Sequence, residues 1–262
     1  MVGLGGIGHA MADRLEECGW PVIGVEPDEG RRRAWEDARS DHVAYSDLHT
    51  VDWDGISHLL VAVRTEEQVR TVLATCGSEA PSSVRVLLVS TVRPSFWHSS
   101  VPELLNLDRI VECPVSGGEG PARQGTVAMY AAGGREDDSA LLAALSASVV
   151  AFPRHGDPAL IKLVNNTLAA LNAANTARYA QLASERGIAP EDFLRALNLG
   201  SGRSQVSAML HQLSRNQLDL LEKDVGLLRA DVGELPESAD PTRLADLVAS
   251  ALGEIADPDA VV

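Results

Sequence analysis

Gly3-Leu4-Gly5-Gly6-Ile7-Gly8 runs straight into a helical pattern from His9 to Leu15, and nothing else in the chain constrains its fold as much. A strand, a glycine turn and a helix in that order use their glycines for three things: the tight turn, the approach of backbone to a pyrophosphate, and close packing of helix on strand. The helix N-terminus adds a positive dipole for an anion. The pattern breaks at Cys18-Gly19, Pro21 to Val25 reads as the next strand, and Glu26 closes it. A carboxylate about 20 residues past the glycines can accept hydrogen bonds from an adenosine ribose and would repel a 2'-phosphate, which favours NAD over NADP. Arg31, Arg32 and Arg33 keep NADP open, because an Arg past the strand can grip a 2'-phosphate; their other reading is a solvated helix start. Only Met1 and Val2 precede the loop, whereas a central strand normally needs about five residues. Either the start lies upstream or the central strand is clipped, which would weaken both the sheet and the loop.

Alternation of strand and helix continues. Leu59 to Val63 is an apolar run suited to a strand buried on both faces, Glu66 to Cys76 reads as helix, and Val84 to Val89 as strand. Further strands are expected at Arg109 to Glu112, Val127 to Ala132 and Val149 to Phe152. The fold class is therefore α/β, a doubly wound parallel sheet, whose strand ends at Val63-Arg64 and Ser90-Thr91 fall at the carboxyl edge where such sheets bind ligands. Between two of the later strands, Ser116-Gly117-Gly118 offers consecutive unshielded backbone N–H groups and a hydroxyl. That is either an anion-binding nest for a carboxylate or a plain turn.

From Asp157 the pattern changes. Pro158 sits where a first helical turn wants it, and no breaker follows until Gly187, so a long helix is expected. Between Asp157 and Arg178 the only charge is Lys162, among Leu, Val, Ala and Asn, a composition of a helix covered on most sides. A buried ammonium loses hydration, and its pKa falls toward the range where it can take and give a proton near neutral pH. Asn165 and Asn166 follow on the same face, able to hold a ligand or orient the amine. The alternative is a lysine whose head snorkels to water. Further helices are expected at Glu191 to Leu199, Ser204 to Leu213, from Asp219 or slightly earlier to Val232, and Pro241 to Leu252, with Ala169, Ala170, Ala173 and Ala174 allowing close helix packing. The division is residues 1–155 for the dinucleotide fold and 156–262 for an all-α domain that begins with the long interdomain helix.

With 37 acidic against 22 basic residues the net charge is -15, which argues against nucleic acid or anionic lipid and for a small-molecule partner. No apolar run reaches the roughly 18 residues of a membrane span, and the N-terminus has no signal-peptide pattern, so the expected location is cytoplasmic. Cys18, Cys76 and Cys113 are odd in number and far apart, which suits reduced thiols. The seven histidines form no metal-ligand spacing, so no metal is expected.

Together these segments resemble the β-hydroxyacid dehydrogenase family, which includes 3-hydroxyisobutyrate dehydrogenase and is related to 6-phosphogluconate dehydrogenase. The likeness runs over nearly the whole chain: the loop Gly3 to Gly8, Ser90-Thr91, Pro114-Val115-Ser116-Gly117-Gly118, Lys162 with Asn165-Asn166, Gly202-Arg203-Ser204, and Lys223-Asp224. Arg64 stands where the family usually has Pro, and Gly6-Ile7 replaces a frequent Asn-Met. The resemblance implies that Lys162 is the catalytic lysine and that Ser116, Gly117, Gly118 and Asn166 position substrate. It implies that Gly3, Leu4, Gly5, Gly6, Ile7, Gly8 and Glu26 bind cofactor, that Val63, Arg64 and Thr91 line its nicotinamide side, and that Lys223 approaches it from the helical part. The implied activity is hydride transfer between NAD, or NADP, and a small 3-hydroxy acid or its semialdehyde, in a homo-oligomer (dimer or tetramer). Two rivals remain: an imine reductase on the same architecture, whose members generally lack this lysine, and a catalytically idle nucleotide-binding protein.

Overall fold

The structure, a computed structural model, describes residues 1–38 and 40–236. The glycine loop feeds α1 (Gly6–Glu17), then β1 (Ile23–Val25), α2 (Glu29–Ala38) and β2 (Val43–Tyr45). Next come β3 (His58–Val61), α3 (Glu66–Glu79), β4 (Arg85–Leu88), the short helices α4 (Pro94–Ser99) and α5 (Val101–Leu104), and β5 (Ile110–Glu112). A second small sheet follows: β6 (Val115–Ser116), α6 (Glu119–Gln124), β7 (Ala128–Ala131), α7 (Ser139–Leu145) and β8 (Ser148–Ala151). The rest of the described residues are mainly helical, with α8 (Asp157–Glu185), α9 (Pro190–Leu199), α10 (Gln205–Met209) and α11 (Arg215–Val232). This is the expected α/β class, a parallel sheet flanked by helices and followed by an all-α part, and Met1–Asp231 forms one compact unit.

β1 pairs parallel with β2, and β3, β4 and β5 pair parallel in that order. Between the two groups stands Val2, bridged in parallel to Val25 on one side and Val61 on the other. The strand that carries the glycine loop is thus reduced to a single bridging residue, in line with the short run before Gly3. The second sheet has β7 antiparallel to β6 and parallel to β8, and it meets the first through an antiparallel bridge from Glu112 to Ala132.

Side chains alternate across the sheet. Leu59, Val61, Val86 and Leu88 enter one apolar cluster with Phe96, Trp97 and Leu73, while Leu60 and Leu87 enter the opposite one with Met11, Trp35 and Met129. Strands covered on both faces are what a continuous apolar run encodes. α3 begins at a capping box in which Thr65 and Gln68 exchange side-chain and backbone hydrogen bonds. On the lower edge Arg85 forks onto Asp138, which is 0% exposed, with contacts of 3.0 and 2.5 Å, and so ties β4 to the turn before α7.

Several elements differ from the sequence reading. β2 and β6 were not expected; they hold 3 and 2 residues, too few for periodicity to register. α10 stops at Met209 and continues as a 3-10 turn over Leu210–Gln212. The helix expected at Pro241 to Leu252 lies outside the described residues. Most instructive is α8: its apolar composition suggested cover on most sides, yet Leu168, Leu171, Tyr179 and Leu182 are 56%, 45%, 61% and 47% exposed. A single stripe suffices to dock α8, so among the described residues the hydrophobicity around the rest of the helix is left uncovered. Among the described residues no helix is long and apolar enough to cross a membrane.

Candidate active site

The glycine loop is shaped by contacts that exclude side chains. Gly3 has φ +87°, and a Cβ there would stand 2.5 Å from the Ala62 carbonyl oxygen. A Cβ on Gly8 would collide with the Gly3 carbonyl, so this glycine is what lets α1 lie on the loop. Gly5 faces open space. Backbone can therefore be approached at the start of the 12-residue helix α1, the geometry a pyrophosphate requires. These residues fit a dinucleotide. One group stands in the way: the Glu119 carboxylate, from the first turn of α6, lies against Gly6 where a Cβ would otherwise point.

Glu26 does not project freely. It is 4% exposed, its Oε2 accepts from Leu4 N–H at 2.9 Å, and its Oε1 accepts from Asp28 N–H at 3.1 Å. It braces the glycine loop from the end of β1, leaving only its remaining lone pairs for a ribose. Arg31 comes within 3.7 Å of the Glu26 Oε1 and lines the adjoining hollow together with Gly3, Val25, Ser46 and Asp47. Arg32 instead donates to the Glu26 carbonyl and Arg33 pairs with Glu29, so these two behave as a helix start while Arg31 faces the hollow.

A cleft of about 340 Å³ brings the other motifs together. Its floor holds Gly5, Gly6, Ile7 and Gly8, its sheet edge Val63, Arg64, Ser90 and Thr91, and one wall Gly117 and Gly118. The helical side supplies Lys162, Asn166, Lys223 and Asp224. Ser90 fixes the sheet edge, its Oγ accepting from Val63 N–H at 2.8 Å and donating to the Val61 carbonyl at 3.2 Å. Ser116, at the end of β6, accepts from Asn165 Nδ2 at 3.2 Å, which joins the serine-glycine loop to α8.

Lys162 is 8% exposed, and burial lowers its pKa from 10.5 to about 8, against a raising pull from Asp224 and with a further lowering from Lys223. Its Nζ donates to Asn166 Oδ1 at 3.1 Å. Asn166 Nδ2 in turn donates to Asp224 Oδ2 at 2.6 Å, and Lys223 Nζ lies 3.0 Å from Asp224 Oδ1. Asp224, 4% exposed on α11, therefore fixes which end of the Asn166 amide faces the lysine. These two are the chain's only lysines, and both line this cleft; every other Lys-or-Arg position is Arg.

Of the residues singled out from sequence, Gly5 to Gly8, Val63, Arg64, Thr91, Gly117, Gly118, Lys162, Asn166 and Lys223 line this cleft and Gly3 and Glu26 line the adjoining hollow, whereas Leu4 is buried in the core and Ser116, bonded to Asn165, lines neither. Sequence reasoning missed Asn165 as the partner of Ser116, Asp224 as the orienter of Asn166, and Glu119 against Gly6; of the three arginines it left open, Arg31 is the one that faces the hollow beside Glu26. The resemblance had already marked the pair Lys223-Asp224, and the scarcity of lysine marks it again.

The family model for the NAD binding domain of 6-phosphogluconate dehydrogenase matches residues 1–151. The mitochondrial 3-hydroxyisobutyrate dehydrogenase of Mus musculus is 26% identical over 267 residues, covering 97% of this chain and 79% of that protein. Its Homo sapiens counterpart is 26% identical over 212 residues, covering 77% of this chain and 61% of the relative, less than two thirds of its length. Among solved structures, 3-hydroxyisobutyrate dehydrogenase from Salmonella typhimurium superposes with a TM-score of 0.72 at 21% identity, covering 87% of this chain and 84% of that one. Psf3 in complex with NADP+ and 2-OPP superposes at 0.70 and 23% identity, covering 98% and 95%. The structures share the fold, and the family match spans more than half the chain, including every residue of the glycine loop. The chain belongs to the family of NAD(P)-binding oxidoreductases that includes the 3-hydroxyisobutyrate and 6-phosphogluconate dehydrogenases.

Proposed function

We propose that the protein is a dehydrogenase of a small 3-hydroxy acid, with residues 1–155 holding NAD(P) and helices α8 and α11 closing the cleft. The observation that carries this reading is Lys162: a buried amine of lowered pKa in the same cleft as the glycine loop and Gly117-Gly118. Gly3 to Gly8 and Glu26 would hold the dinucleotide, with Val63, Arg64, Thr91 and Lys223 around its nicotinamide end. When bound, NAD(P) supplies the acceptor for the hydride leaving the carbinol carbon. Ser116, Gly117 and Gly118 offer the Ser116 hydroxyl and backbone N–H groups to the substrate carboxylate. The unprotonated Lys162 takes the hydroxyl proton as the hydride departs; in the reverse direction its ammonium gives that proton back to the forming alkoxide. Asn166, braced by Asp224, keeps the amine aimed and holds substrate.

The test is reduced-nicotinamide absorbance with NAD and NADP against 3-hydroxyisobutyrate, glycerate and threonate. Lys162→Ala should lose about 100-fold or more in kcat, within the range general acid–base catalysis supplies, and keep cofactor binding by calorimetry. Near-normal turnover of Lys162→Ala would refute the assignment. Reduction of cyclic imines in place of hydroxy-acid oxidation would favour the imine reductase, and cofactor binding without turnover the idle protein. The exposed apolar face of α8 supports a homo-oligomer in which a second copy covers it.

A further inference from the structure

The first turn of α8 is capped from elsewhere in the fold. Its N-cap residue, Gly156, has no side chain to offer, and Pro158 has no N–H. Asp157 N–H donates to the Arg154 carbonyl at 3.3 Å. The two donors left, Gly156 N–H and Ala159 N–H, both end on one carboxylate: Glu112 Oε2 at 2.6 Å and Oε1 at 2.7 Å. Glu112 is 1% exposed and is the last residue of β5. Its own backbone is held at both ends, donating to and accepting from Ala132 at 3.0 and 2.9 Å.

Glu112 lies four positions before Ser116 in an extended stretch, and Ala159 lies three before Lys162 on the same helical face. α8 is therefore stitched to the β5–β6 segment at two levels, by Glu112 at its first turn and by Asn165 onto Ser116 further along. Lys162 sits between the two stitches.

The geometry points to Glu112 as a positioning residue: by gripping the first turn of α8 from the root of the serine-glycine loop, it sets the registry between Lys162 and the substrate seat. This rests on the proposed role of Lys162. Burial pushes the Glu112 carboxyl up to about 8, against the Gly156 and Ala159 N–H groups, which favour the ionised form in which both oxygens accept. A glutamine has the same reach but one acceptor oxygen, so its NH2 must face one of the two backbone donors and push that end of the turn away. An aspartate keeps both acceptors on a stem one methylene shorter. The misplacement acts on proton transfer, where about 1 Å can cost on the order of 100-fold, and leaves the glycine loop untouched.

Glu112→Gln and Glu112→Asp are compared with the wild type and Lys162→Ala. Glu112→Gln should lower kcat roughly 10- to 100-fold with cofactor affinity and substrate KM within about twofold, and Glu112→Asp should recover part of the loss. In cofactor-free protein carrying isotope-labelled lysine, the two lysine signals separate the effects: Glu112→Gln should move the Lys162 signal and its pH midpoint and leave Lys223 in place. A Glu112→Gln protein that is merely less thermostable, with kcat and the Lys162 signal unchanged, overturns the inference, as does a loss of kcat explained by weaker cofactor binding. If Glu112→Gln does not fold, Glu112→Asp carries the same readouts. Turnover surviving in Lys162→Ala would instead remove the underlying reading, while the lysine signal would still report whether Glu112 governs the position of Lys162.

Discussion

At the residue scale, one desolvated amine dominates. Lowering Lys162 to about 8 makes its neutral form available near physiological pH. The sign follows from which form reacts: alcohol oxidation needs the free amine and should rise with pH to a plateau above about 8, whereas aldehyde reduction needs the ammonium and should fall across the same range, both read from kcat against pH. The same shift carries a stability penalty. Between about 8 and 10.5 the unfolded chain binds the extra proton, so stability rises with pH through that window, and burying the charge costs on the order of 3 kcal/mol at neutral pH. Glu119 makes a second prediction. Its carboxylate lies at Gly6, where the proposed site would seat the pyrophosphate, so Glu119→Gln should tighten cofactor binding, most at low salt; unchanged or weaker binding by calorimetry would show that the side chain swings clear. The jobs of Gly3 and Gly8 were legible because local spacing sets them. Those of Glu112 and Asp224 were not, since their partners lie 44 to 58 residues away and only the folded chain brings them together.

At the scale of elements, legibility tracked length. α3, α8, α9 and α11 and the apolar strands β3 and β4 carry enough residues for a period or a buried run to show. β2 and β6 do not, although β6 places Ser116. For α8 the reading of position was sound and the reading of cover was not, because composition reports that a surface avoids water without saying which chain supplies the shelter. That leaves a prediction: replacing both Leu168 and Leu171 by Glu should lower the mass seen by light scattering toward that of one chain, and an unchanged mass would remove α8 from any interface between copies.

Across the whole molecule, the sheet order, with Val2 between β1 and β3, puts the glycine loop, both lysines and the serine-glycine turn around one cleft. The α/β class and the helical remainder were readable from alternation alone; the cleft's inner wiring was not, because it joins α8 and α11 to loops of the sheet through single side chains. The seam at Val2 has its own consequence. On the β3 side it is held by Val2 N–H to Leu60 O at 2.8 Å and Ala62 N–H to Val2 O at 2.9 Å; on the β1 side the Met1 amino group donates to Ile23 O at 2.6 Å, Gly3 N–H to Val25 O at 2.9 Å and Val25 N–H to Met1 O at 2.8 Å. So few rungs should let β1, α2 and β2 detach as one unit well before the whole molecule unfolds. Deuterium uptake should accordingly be faster at Val25 and Ala62 than along β4, and NAD(P), bound as proposed, should slow it there most; equal protection on both sides without ligand would mean that packing of Trp35 and Leu4, and not backbone pairing, is the clasp.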